Sequence, residues 1–145
     1  MRFMMLMIPG VYQGTKGKNV GEDFAPDAED VAKMTKYNEE LVTSGALLSA
    51  DGLHPMAKGA RVSFSGGKPS VTDGPFTEAK EVLGGYWMIQ VNSKEEAVNW
   101  AKRVPARSTD VIEIRQVFEM SDFPADVQKA AASATVKAQV EKHAR

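Results

Sequence analysis

Gly84-Gly85-Tyr86-Trp87-Met88-Ile89-Gln90-Val91 runs through Asn92 into Ser93-Lys94-Glu95-Glu96-Ala97-Val98-Asn99-Trp100-Ala101-Lys102-Arg103-Val104-Pro105. The first part, rich in aromatic and β-branched residues behind a Gly pair, predicts a strand over 85–91. Within it Trp87, Ile89 and Val91 face one way, and Tyr86, Met88 and Gln90 the other. The second part predicts a helix. Ser93 and Glu96 are spaced as a capping box, each side chain satisfying the other's backbone N–H. Ala97, Val98, Trp100, Ala101 and Val104 form its apolar face, and Pro105 stops it.

The same reading extends outward. Phe3 to Ile8 is an unbroken apolar run closed by Pro9-Gly10, the pattern of a strand covered on both faces. Val11 to Pro26 has no period and reads as a long loop. Asp27, Glu29 and Asp30 put acids at the start of a helix carrying Val31, Met34, Leu41 and Val42, and Gly45 suits its end. Ala46 to Ala50 predicts a short strand that ends at the Asp51-Gly52 turn. Arg61 to Ser65, Gly66-Gly67 and Lys68 to Thr72 predict a hairpin, followed by a sharp turn at Asp73-Gly74-Pro75-Phe76. Thr77 to Leu83 is polar and reads as loop or one helical turn. Val111 to Phe118 alternates as a strand, with Ile112 and Ile114 opposite Glu113 and Arg115. The Ala-rich tail from Phe123 predicts one further helix with a stripe of small residues, Val127, Ala131, Ala134 and Ala138.

With the hairpin segment set aside, the order is βαββαβ. This predicts an α+β, ferredoxin-like sheet of four antiparallel strands with two helices on one face, plus a C-terminal helix. The helices can cover only one side. In the first strand Arg2, Met4, Leu6 and Ile8 point one way and Phe3, Met5 and Met7 the other, and the face the helices leave, semi-apolar with aromatic and thioether groups, is too apolar to be left in water. A second copy of the chain related by a two-fold axis is the economical cover. The rival is a monomer whose terminal helix lies on that face. The expected domain covers residues 1–123, with 124–145 as a helical extension.

The chain has 145 residues, 43% hydrophobic and 26% charged, which fits one globular domain and argues against disorder. Its net charge of −1 supplies no general positive field for nucleic acid or anionic membrane. The apolar start is too short to span a bilayer and lacks a cleavage site, so a cytoplasmic protein with no membrane or nucleic-acid partner is expected. With no cysteine, disulfides, thiolate nucleophiles and cysteine metal sites are excluded. No phosphate-binding loop, dinucleotide loop or nucleophile elbow is present, so neither a cofactor nor a metal is expected.

Two histidines remain. His143 lies in the tail, where solvation is expected. His54, in Asp51-Gly52-Leu53-His54-Pro55, is a candidate acid–base group, because imidazole exchanges protons near neutral pH. The simpler alternative is a loop histidine with one hydrogen bond. Asp73 is the candidate carboxylate to orient it; the alternative is an aspartate accepting from amides of its own turn. The hairpin between Asp51 and Asp73 can return both loops to one end of the sheet. Tyr86, Glu113 and Arg115 share the uncovered face and are candidates for ligand contacts, with Glu113 and Arg115 alternatively forming an interfacial ion pair. Arg61 and Lys80 are candidates to complement an anionic ligand.

Val71-Thr72-Asp73-Gly74-Pro75-Phe76-Thr77-Glu78, Lys80-Glu81-Val82-Leu83-Gly84-Gly85-Tyr86-Trp87, and then Ser93, Glu95-Glu96-Ala97, Trp100-Ala101 and Pro105 resemble the YCII-related family, in the subgroup named for its DGPF signature. Gly52-Leu53-His54-Pro55, Val62-Ser63-Phe64-Ser65-Gly66-Gly67, Ile112-Glu113-Ile114-Arg115 and Phe118-Glu119 extend the resemblance from Met1 to about Phe123. It implies a ferredoxin-like fold pairing as a dimeric α+β barrel, with a His–Asp pair in a cleft as the site. Asp73 matches the signature aspartate, and His54 matches the subgroup's loop histidine. Some relatives are dehalogenating or lactone-processing enzymes, and some such domains are joined to or encoded near alternative sigma factors. The expectations are a homodimer acting on an unidentified small molecule with His54 and Asp73 as catalytic pair, or a non-catalytic metabolite-binding or regulatory module.

Overall fold

Phe3 and Met5 are almost fully buried, whereas Met4 between them and Leu6 after them are only partly so. That alternation marks strand β1, Arg2–Ile8, as covered by the chain on one side only. The computed structural model describes residues 1–76 and 81–143, apart from the side chains of Lys18, Glu141 and His143. The expectations for Thr77, Glu78 and Lys80, and for the His143 side chain, fall outside the described residues.

β1 is the centre of a four-stranded sheet. It pairs antiparallel with β5, Gly85–Gln90, and with β6, Val111–Gln116, while β5 pairs antiparallel with β2, Leu47–Gly52. The strand order is β2-β5-β1-β6. The register shifts between Leu47 and Ser49 of β2. This explains why Leu47 and Ala50, three residues apart, both pack against the core. β2 continues through Asp51-Gly52, where the sequence suggested a turn.

Helix α2, Ala28–Thr43, and helix α3, Lys94–Ala101, lie on the same face of the sheet. Tyr37 and Leu41 from α2 and Ala97 from α3 form one cluster with Phe3, Met5, Trp87 and Ile89. Full burial of side chains the size of Leu41, Phe3 or Met5 contributes about 1.5–3 kcal/mol each. Tyr37 ties the layers together. Its ring meets Trp87 edge-on at 6.0 Å, and its hydroxyl donates to the Trp100 carbonyl of α3 at 2.9 Å.

The caps follow from sequence. The Asp27 carboxylate accepts from the Asp30 N–H. At the other end Gly45 N–H bonds to Val42 O and Ala46 N–H to Leu41 O, the paired closure that a residue at φ 77° permits. In α3 the Ser93 hydroxyl accepts from Glu96 N–H as expected, but Glu96 does not complete the box. Its carboxylate reaches one residue further back, to both the backbone and side-chain N–H groups of Asn92. Two donors on one oxygen outcompete the single Ser93 amide.

Between β2 and β5 the hairpin forms a separate two-stranded sheet, β3 Ala60–Ser63 with β4 Ser70–Asp73. Its turn uses Gly66 and Gly67 at φ 77° and 80°, values that suit glycine. Residues 11–26 are more ordered than the missing period suggested. A 3-10 turn over Gly10–Tyr12 leads into the short helix α1, Gly14–Lys18. Gln13 clamps this segment, its amide donating to Pro9 O and Val82 O and accepting from Val82 N–H.

The tail forms two helices, α4 Ala125–Ala131 and α5 Ala134–His143, in place of one. Ala132 is extended at the break, and the Ser133 hydroxyl accepts from Val136 N–H to restart the helix. Every described side chain from Pro124 to Val140 is exposed. Small residues offer too little apolar area to hold these helices on the sheet. No helix among the described residues is long and apolar enough to cross a membrane.

Candidate functional site

The candidate residues fall into two groups at one end of the sheet and across its uncovered face. His54, Asp73 and Arg61 belong to the first. The chain leaves β2 at Gly52, and Leu53 N–H donates to Gly84 O at 2.9 Å, which holds the start of the loop beside β5. His54 follows, exposed, and then Pro55 and Met56 turn inward. Met56 packs with Tyr12 and Val82 in a small second cluster, flanked by Val20, Phe24 and Phe76.

The Asp73-Gly74-Pro75-Phe76 turn docks on that loop. Gly74 N–H donates to Gly59 O at 2.8 Å, and a β-carbon on Gly74 would stand 1.7 Å from Met56 O. Only a residue without a side chain fits there. Phe76 reaches into the small cluster, and the Arg61 guanidinium lies 4.1 Å from the centre of its ring. The fold therefore packs the loop carrying His54 against the turn carrying Asp73. Both side chains are exposed, and among the described residues no hydrogen bond or ion pair joins them.

Tyr86, Glu113 and Arg115 lie on the face away from the helices, because Trp87, Ile112 and Ile114 alternate with them in the core. Leu6 stands between Tyr86 and Glu113, and Met4 between Met88 and Arg115. The Arg115 guanidinium is 3.7 Å from the Glu113 carboxylate, an exposed pair worth roughly 1 kcal/mol or less. The Tyr86 hydroxyl donates to Asp51 Oδ2 at 2.7 Å. That hydrogen bond to a carboxylate raises the phenol's pKa above its ordinary value, with desolvation adding and Ser49 opposing.

On the helix side, a cleft of about 170 Å3 opens beneath α2. Met7, Met34, Ala50 and Trp87 line it, with Asn38 as a polar wall. Trp87 Nε1–H donates to Asn38 Oδ1 at 2.8 Å. Asp51 and Asn38 were not singled out from sequence. Asp51 reads as a turn residue, and Asn38 reads only as a position, with Tyr37, between the apolar residues of a helix. Among the described residues no cluster of three or more metal-binding side chains occurs.

A curated relative is an uncharacterised protein of Rhizobium meliloti (strain 1021). It is 32% identical over 76 residues, which is 52% of this chain and 61% of that protein. The aligned stretch is thus less than two thirds of the relative. The YCII-related domain matches residues 1–121, spanning the whole sheet, both covering helices, the hairpin and the Asp73–Phe76 turn, and stopping before the tail helices; the chain belongs to the YCII-related family.

Proposed function

We propose that this protein is a small-molecule enzyme that works as a pair of chains, with His54 carrying a proton and Asp73 orienting the imidazole. The observation that carries the reading is the docking of Gly74 on Met56 and Gly59. It packs together the two loops that bear an exposed imidazole and an exposed carboxylate. An imidazole beside a substrate can take and return a proton near neutral pH, and a neighbouring carboxylate fixes its tautomer.

The same proposal includes the architecture. The order β2-β5-β1-β6 with two helices on one face supports a ferredoxin-like core with an inserted hairpin. The partly exposed row of Met4, Leu6, Tyr86 and Met88 supports pairing of two sheets as a dimeric α+β barrel, with Glu113 and Arg115 at its seam. Residues 124–145 are then an appendage to a domain of residues 1–123.

The test is a substrate screen on the intact protein followed by His54→Ala and Asp73→Asn. Because both side chains are exposed, each variant should stay folded. His54→Ala should lose about 10²–10⁴-fold in turnover. An unchanged rate overturns the reading.

One observation favours a second reading, a metabolite-binding or regulatory module without catalysis. Arg61 is held over Phe76 with its guanidinium exposed, a cation presented beside the same loops. Saturable binding of an anionic metabolite without product, weakened by Arg61→Met and untouched by His54→Ala, would select it.

A further inference from the structure

The cleft beneath α2 is built differently from the loops that carry His54 and Asp73. We infer that it is a binding pocket for a small neutral molecule with one carbonyl oxygen on an apolar body about the size of a single ring. The inference does not depend on acid–base chemistry at His54.

Size comes first. The cleft, open to solvent on one side, has room for about 170 Å3, in size alone close to the roughly 150 Å3 enclosed cavity that accepts benzene. Met7, Met34 and Trp87 give it thioether and aromatic surface, beside the backbone of Gly52, Gly84 and Gly85. Such side chains adapt to flat or irregular apolar bodies.

Gly52 keeps the space open. It lines the cleft and lies two residues from core-facing Ala50 along β2, so a side chain there would share Ala50's face. A β-carbon on Gly52 would meet nothing within 4 Å, and its backbone is not in the left-handed region. Neither strain nor crowding demands glycine at this position. An open cleft does.

Polarity follows from Asn38. An indole N–H only donates, so the hydrogen bond from Trp87 Nε1 fixes Asn38 Oδ1 toward Trp87. The Asn38 NH2 group is thereby presented elsewhere, and among the described residues no acceptor takes its hydrogens. The group it suits is an acceptor on a ligand. A carboxylate is disfavoured, because among the described residues no cationic side chain lines the cleft and Asp51 is the charged residue there. An ammonium is disfavoured because the polar wall donates, and the Asp51 carboxylate is engaged by Tyr86 on the other face of the sheet. A neutral carbonyl remains.

The experiment follows the two indole N–H resonances of the full chain by NMR during titration with cyclohexanone, cyclohexylamine and cyclohexanecarboxylate. Cyclohexanone should move the Trp87 resonance saturably at concentrations on the order of 10 mM or below, the range open to so small a ligand. The Trp100 resonance should stay in place. The amine and the carboxylate should bind at least tenfold more weakly. Gly52→Val should abolish the shift by filling the cleft. Asn38→Asp keeps an acceptor for Trp87 but loses the NH2 group, and should weaken binding at least tenfold. Thermal melts show whether each variant is folded, and Gly52→Ala, with a smaller side chain, should retain partial binding if valine proves disruptive. The inference is overturned by no saturable shift in the unmodified protein. It is equally overturned by a charged probe binding as well as the ketone, or by undiminished binding in folded Gly52→Val. Loss of turnover in His54→Ala with cyclohexanone binding unchanged would separate this pocket from the proposed catalytic pair.

Discussion

Gly74 stands against Met56 so closely that a β-carbon on it would lie 1.7 Å from the Met56 carbonyl oxygen. That atom is backbone, so no rotamer change can relieve the contact. Gly74→Ala must push the Asp73–Phe76 turn away from the loop that carries His54. The expected cost is about 1–3 kcal/mol, read from urea denaturation. Gly52→Ala, which meets open space, should change stability by no more than about 0.5 kcal/mol. If the two variants melt alike, the docking of the two loops contributes nothing.

Arg2 and Glu119 join the first strand to the segment after the last. Arg2 Nε donates to one carboxylate oxygen at 2.8 Å and Nη2 to the other at 2.9 Å. This hydrogen bonding holds the Glu119 carboxyl below its ordinary pKa of 4.5, against a smaller desolvation effect. A depressed pKa contributes stability that is complete above 4.5 and is lost as pH falls through the lowered value. NMR titration of Glu119 should therefore give a midpoint below 4.5, and Arg2→Met should return it to the usual carboxylate range. A midpoint unmoved by Arg2→Met would show that the pair does not persist in solution.

Tyr37 sets the alkaline limit. Burial pushes its phenol from 10.0 up to about 12. A raised pKa means stability that is complete below pH 10 and declines as pH rises through about 12, when the buried hydroxyl must ionise. Tyr37→Phe removes the hydroxyl and its bond to Trp100 O, at a cost of about 1 kcal/mol at neutral pH. The same variant should flatten the loss of stability between pH 10 and 12. An unchanged alkaline limb would assign it to another group.

The legible parts of this chain are those where local chemistry and the buried pattern agree. Trp87 and Ile89 alternate with Tyr86 and Met88 in sequence, and they alternate in burial. Asp27 and Gly45 cap the helix they flank because their preferences are local. The order around Tyr12 was not legible, because Gln13 secures it through Val82, a residue 69 positions away. Ala132 breaks the tail without a proline or glycine to announce it. The site divides in the same way. His54 and Asp73 stand out by residue type, whereas Asn38 acquires its meaning only when Trp87 donates to it across the layers.

The uncovered face carries the largest consequence for assembly. Leu6 lies at its middle, between Tyr86 and Glu113, and the tail helices leave it partly exposed. If a second copy covers this face, the protein should sediment with the mass of two chains. Leu6→Lys would then place an ammonium where apolar surface meets apolar surface, and desolvating an unpaired charge there costs several kcal/mol. The variant should sediment as one chain. It should remain folded, because Phe3, Met5, Trp87 and Ile89 pack toward the helices and do not touch the substitution. Unmodified protein with the mass of one chain would remove the paired barrel and leave a different partner to cover Leu6.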